Sequence, residues 1–174
     1  MEVAVRHFPL HPETPEAGLT LDELFAGRNI DIPAAQARMA QLMAEEGLPY
    51  GRRTMTYNSR LAQELASWAV SLPEGEAIHD ALFRAYFVDN VNLAEIGNLT
   101  AITAEVGLPE AEAETVLRQR THRDVVDADW RRSRELGITG VPTFVIGREG
   151  FVGARPYEEL EAFVSSAGAQ RRGG

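Results

Sequence analysis

The side chains that can do chemistry here are four histidines, 26 carboxylates and 17 basic residues, with no cysteine among 174 residues. Without sulfur nucleophiles there is no disulfide, no thiolate attack and no thiolate metal site. Every basic residue is Arg, so neither a Schiff-base lysine nor a phosphate-loop lysine is available. Among His7, His11, His79 and His122, only His7 and His11 stand four apart. Pro9 and Pro12 make that stretch irregular rather than helical, so solvated or capping histidines are expected and no metal. Glu45, Glu46, Asp124, Asp127 and Asp129 offer neighbouring carboxylates of the kind used in general acid–base work. No pattern selects one pair, and a helix surface accounts for them equally well. Arg148 and Arg155 would suit an anionic ligand but read more simply as surface arginines. Trp68, Phe83, Tyr86, Phe87 and Trp130 recur periodically, and periodic aromatics belong to a core more often than to a ligand wall.

The elements that must position these residues follow from periodicity. Residues 2–8, EVAVRHF, alternate as a strand closed by Pro9. TLDELFAG predicts a short helix with Thr20 and Glu23 as a capping box. Residues 31–46 predict a helix with Asp31 as cap, Pro33 in the first turn and an apolar stripe of Ala35, Met39, Leu42 and Met43, ended by Gly47. From Asn58 to Leu136 the period is helical throughout, beginning with Asn58 or Ser59 as cap and Leu61, Leu65, Trp68 and Leu72 on one face. The pattern then changes to a strand at 143–147, a turn, a second strand FVGA, and a last helix with Leu160, Phe163 and Val164 inward. In Phe151, Gly153 and Ala154 strand packing is expected rather than chemistry.

The net charge of −9 argues against nucleic acid as a partner, since phosphates need a cationic face. No apolar run approaches the ~18 residues of a membrane span. MEVAVRHFPLHP has no basic region followed by an apolar core, so a cytoplasmic location is expected. Arg171 and Arg172 fall in a terminal RRGG expected to be a frayed tail.

Several stretches together resemble the DsbA-like thioredoxin superfamily, and most closely its FrnE-like disulfide oxidoreductase branch. GITGVPTFVI resembles the family's entry to its third strand, and GFVGARPYEELEAF its last strand and helix. FRAYFVDNVNLAEIGNLTAITAEVGLP and EEGLPYGRRTMTYNSRLAQELASWA look like its helical insertion. VRHFPLHPETP looks like the strand and Pro-rich loop after its first helix. The resemblance implies an α/β, thioredoxin-like fold. Residues 1–30 would be one part of that domain, 31–137 a helical lobe, 138–168 the terminal ββα unit and 169–174 a tail. It also implies a cis Val141–Pro142 bond, with the Val141 backbone free to pair with an extended peptide, an unfolded protein segment or glutathione. Thr139 and Gly140 would shape the same loop.

The family's opening strand and Cys-x-x-Cys helix, whose dipole activates a thiol, have no counterpart in this sequence. No disulfide exchange by this chain, no catalytic residue and no cofactor are therefore expected. A cysteine-free peptide-binding or chaperone-like module and a glutathione-binding relative of the isomerases and kappa-type transferases are the alternatives. In the resembled fold the missing strand separates 2–8 from 143–147. A compensated sheet is expected in its place, through direct pairing of those two strands or through a homodimer, because unpaired buried amides are costly.

Overall fold

The computed structural model describes residues 3–170. The tail residues Arg171 and Arg172, and Glu2 of the expected first strand, lie outside the described residues. The backbone divides into two compact units. One comprises His11–Asp127. The other comprises the stretch up to Leu10 and everything from Ala128 onward.

In the His11–Asp127 unit, β1 (Leu19–Thr20) leads into α1 (Leu21–Leu24), followed by α2 (Ile32–Glu45) and β2 (Met55–Thr56). Four helices then build the lobe: α3 (Arg60–Ala69), α4 (Ala77–Phe87), α5 (Ile96–Glu105) and α6 (Glu110–Gln119). Its core is Leu65, Ile78, Leu99 and Leu117, all fully buried, with Trp68, Leu82, Leu93, Ile102 and Leu108 around them. Each such side chain contributes roughly 1.5–3 kcal/mol by leaving water, and together they make the lobe a self-sufficient body.

The lobe begins earlier in the chain than residue 31. Asn58 explains this: its Nδ2 donates to the carbonyls of Pro12 (3.1 Å) and Thr14 (2.8 Å) and so holds the Pro-rich loop onto the start of α3. The antiparallel pair β1–β2, with Leu19 opposite Thr56 and Thr20 opposite Met55, adds a second tie. The predicted capping box forms: the Thr20 hydroxyl accepts from Glu23 N–H while Glu23 accepts from Thr20 N–H at 2.7 Å.

The other unit carries the hairpin of β3 (Thr143–Ile146) and β4 (Glu149–Val152), followed by α8 (Tyr157–Ser166). The turn has two residues, Gly147 and Arg148, and Gly147 takes φ 62°, a left-handed conformation that suits glycine. The rings of Phe144 and Phe151 lie 5.2 Å apart, and Phe151 meets Phe163 of α8 edge-on at 5.1 Å. One face of the hairpin is thus covered by α8. Helix α7 (Arg123–Glu135) runs through the point where the two units divide.

Two sequence expectations are corrected. Residues 3–8 form no strand; Val3 and Val5 are 75% and 63% exposed, so direct pairing with 143–147 does not occur within the chain. The reason is visible at Asp129, whose buried carboxylate accepts the His7 N–H at 3.0 Å and pairs with Arg6 at 3.2 Å. That side chain takes the backbone donor a neighbouring strand would have used. The stripe Ala35, Met39, Leu42 and Met43 is the second correction: α2 forms as predicted, with Asp31 Oδ1 capping Ala34 N–H, but none of its residues is buried. Helix α2 is tied down instead by Gln36, which exchanges two hydrogen bonds with the Arg53 backbone.

Candidate functional site

The segment Thr139–Val145 places its backbone groups by a simple rule. Gly153 N–H donates to the Pro142 carbonyl at 2.8 Å, so Pro142 and Gly153 form a hydrogen-bonded position. In an antiparallel ladder, bonded and non-bonded positions alternate. Phe144 opposite Phe151 and Ile146 opposite Glu149 are therefore the next bonded pairs, and Thr143 and Val145 are not. The N–H and C=O of Thr143 and Val145 point away from β4, toward an edge that no described strand occupies. Val141, in the bend just before β3, makes no backbone hydrogen bond with any described residue and is 48% exposed. The Val141–Pro142 peptide bond is cis. Thr139 is exposed, and the half-buried Gly140 has its carbonyl held by the Thr143 hydroxyl at 2.6 Å, which fixes the loop ahead of Val141. Thr139, Gly140, Val141 and Pro142 thus form one accessible loop that leads into an open strand edge.

The carboxylates are placed in structural roles, several of them invisible to sequence reasoning. Glu64 on α3 is fully buried and is the centre of an ion-pair network. Arg60 Nε reaches its Oε1 at 2.6 Å, and Arg120 grips both oxygens, Nε to Oε2 at 2.6 Å and Nη2 to Oε1 at 2.7 Å. Arg60 continues to Asp127 at 2.7 Å and to the Arg123 carbonyl at 2.9 Å. Burial pushes the Glu64 carboxyl upward, but the hydrogen bonds and charges of Arg120 and Arg60 outweigh it and hold it below the ordinary carboxylate range. Arg120 takes the left-handed conformation, φ 55°, at the end of α6, where glycine is usual. The bidentate grip on Glu64 is what that conformation serves. Asp127 and Asp129 therefore hold Arg60 and the His7 amide rather than acting as an acid–base pair. Asp124, Glu45 and Glu46 lie exposed.

Of the aromatics, Trp68 is core, while Phe83 is exposed and joins Tyr50, Tyr86 and Phe87 in a cluster with ring centroids 4.9–6.5 Å apart. The Arg53 guanidinium stacks 4.2 Å over the Tyr86 ring and donates to its hydroxyl, which also meets Thr56 Oγ1 at 2.9 Å. This cluster fastens β2 to α4. Arg155 stacks over Phe151 and pairs with Glu159 at 3.7 Å; Arg148 is exposed. His79 approaches Glu76, His122 meets the Thr121 hydroxyl, and no three metal-ligating side chains converge among the described residues.

A strand hairpin closed by a helix, following a large helical insertion, is an α/β arrangement of thioredoxin-like type. Residues 1–165 match the model of the DSBA-like thioredoxin domain, and the chain belongs to that family, which includes the DsbA-type disulfide oxidoreductases. A crystal structure of a probable DsbA oxidoreductase from Streptomyces coelicolor superposes with a TM-score of 0.80 at 28% identity, covering 94% of this chain and 74% of that one. The cytosolic disulfide reductase DsbM of Pseudomonas aeruginosa, solved with GSH, gives 0.59 at 25% identity over 80% of this chain and 75% of its own. The uncharacterized protein YwbO of Bacillus subtilis (strain 168) is 33% identical over 106 residues, 60% of this chain. The matched region spans about half of that relative, 53% of its length. Among the described residues no helix is long and apolar enough to cross a membrane.

Proposed function

We propose that this chain carries the polypeptide-docking edge of a DsbA-type oxidoreductase of the FrnE-like branch, working in the cytoplasm. The observation that carries the reading is the free backbone of Val141 at the open end of β3. An extended polypeptide can exchange N–H and C=O bonds with Val141 as an added strand. The adjoining residues to Gly147 are uncharged, so the recognition is of backbone rather than of a particular side-chain charge. Exchange itself requires a thiolate that attacks one sulfur of a disulfide and releases the other. With no cysteine, this chain docks the substrate and another segment or molecule supplies the sulfur.

A second reading draws on DsbM, which was solved with GSH. Glutathione is a small peptide with its own thiol, and its backbone would meet Val141 in the same way. An NMR titration separates the two. Reduced, carboxymethylated insulin B chain should shift the amides of residues 139–145, and reduced glutathione should shift the same set at lower concentration if the second reading holds. Shifts confined to other residues with both ligands would remove the docking role.

A further inference from the structure

We propose that Thr143 is a positioning residue for polypeptide docking: its hydroxyl fixes the Gly140 carbonyl and so presents the Val141 backbone in one orientation. This role rests on the docking reading of Val141. Thr143 is the first residue of β3 and is half-buried. Its Oγ1 donates to the Gly140 carbonyl, three residues back, at 2.6 Å. That length is at the short, well-formed end for an O–H···O bond. The bond spans Val141 and Pro142 without using either. On the other side, Gly153 N–H holds the Pro142 carbonyl at 2.8 Å. The carbonyls before and after Val141 are therefore both tied, one by a β3 side chain and one by the residue that follows β4. Pro142 has no N–H to offer. The Val141 N–H and C=O lie between these two fixed points and bond to no described residue.

Threonine suits this task for two reasons. Its β-branch makes χ1 stiff, so the hydroxyl gives up little rotamer freedom in reaching back to Gly140. It also keeps the donor that valine, of the same shape, lacks. Val152, the residue opposite Thr143, stands at the same place: its Cγ1 is 3.5 Å from where a Cβ on Gly140 would be. Gly140 thus lies beside β4 as well as being bonded to β3. A peptide that binds through main-chain hydrogen bonds loses affinity for every receiving residue that must be ordered at the moment of binding. With Gly140 and Pro142 already held, little of that cost remains at Val141. Releasing Gly140 moves it back into the binding step, and the net worth of one hydrogen bond corresponds to roughly two- to tenfold in an equilibrium constant. The effect reaches the ligand only through Val141, because the Thr143 hydroxyl proton is committed to Gly140.

The test titrates the wild-type chain and three variants with reduced, carboxymethylated insulin B chain. Thr143→Val should weaken binding about three- to tenfold. Thr143→Ser keeps the donor and should stay within about twofold of wild type. Thr115→Val is the control: Thr115 Oγ1 makes the same kind of bond to the Ala111 carbonyl within α6, at 2.9 Å, and its loss should leave the affinity unchanged. In the free chains, the amide heteronuclear NOE of Gly140 and Val141 should fall in Thr143→Val and recover in Thr143→Ser. A merely structural Thr143 would instead lower the melting temperature and leave those two NOE values where they were. Equal affinity of wild type and Thr143→Val overturns the positioning role and leaves the docking reading standing. A loss that serine fails to restore overturns it as well. A wild-type chain that does not bind the peptide overturns the docking reading itself, and the part of Thr143 with it, so the two failures are distinguishable.

Discussion

At the scale of the residue, Glu64 shows how a buried charge is accommodated. Taking a carboxylate out of water is costly, and only good geometry with satisfied lone pairs offsets it. Glu64 meets that condition with three short bonds from two arginines. Breaking a buried pair costs about 3–5 kcal/mol. For Glu64→Ala the lower end of that range is expected, because Arg120 is partly exposed and can hydrate, and Arg60 keeps Asp127. Chemical denaturation checks this. The pH dependence has a definite sign. A folded carboxyl held below its unfolded value, near ~4.3, stabilises fully above that value and loses its contribution as pH falls through the folded one. The gap in Tm between wild type and Glu64→Gln should be constant above about pH 5 and shrink below about pH 4. A gap that widened on acidification would contradict the network. None of this was legible in the sequence, because Glu64 reads as one polar residue in a helix and its clamp Arg120 lies 56 positions away. The loop Thr139–Pro142 was expected from the resemblance to the DsbA-like family and not from its own residues, since a Val-Pro step entering an apolar run reads equally well as an ordinary start of a strand.

At the scale of the element, local signals and long-range packing part company. The cap of α2 at Asp31, its stop at Gly47 and the capping box of α1 are written within a few residues and form where expected. Pairing partners are not written locally. The strands β1 and β2 are two residues each and lie 35 positions apart, too short for any periodicity to announce. The segment 3–8 alternates like a strand yet joins no described strand, since alternation states a preference and cannot supply a neighbour. Asp129 holds it instead. The Arg6 pair is largely exposed and worth little, ~0–1 kcal/mol, whereas a hydrogen bond from the His7 amide to a buried carboxylate is worth roughly 1.5–3 kcal/mol. Asp129→Ala should therefore speed tryptic cleavage after Arg6 about tenfold or more, while Arg6→Gln leaves amide exchange at His7 nearly unchanged. Gly75 marks another element-level constraint. A Cβ there would lie 1.7 Å from the Ala69 carbonyl oxygen, at the close approach between the end of α3 and the start of α4. Backbone cannot give way as a flexible side chain can, so Gly75→Ala should cost at least the ~1–3 kcal/mol of overpacking, read as a lower denaturation midpoint. Gly107→Ala meets no atom, and only its left-handed backbone would object.

At the scale of the whole molecule, scaffold and chemistry are separable. The helical unit His11–Asp127 buries its own core and needs nothing from the redox centre that its family is known by. The unit with the hairpin and α8 presents a strand edge that no described strand occupies and, just before it, a Val141 backbone without a hydrogen bond to any described residue. Disulfide exchange adds a third requirement, an attacking thiolate, and here the composition decides: sulfur is present only in methionine. A thioether has no proton to lose and cannot form the mixed disulfide through which exchange proceeds. This 174-residue chain should therefore leave the rate of insulin reduction by dithiothreitol at the uncatalysed value, and should not oxidise a dithiol peptide. Under the proposed docking mode binding should nevertheless persist, since that mode uses backbone at Val141 rather than sulfur. The informative measurement is to run both on one sample: turnover by the precipitation of reduced insulin, and binding by the amide shifts of residues 139–145. Binding without turnover is the expected pair. Turnover above background would mean that a group other than a thiol carries the exchange, and the separation of docking from chemistry would fail.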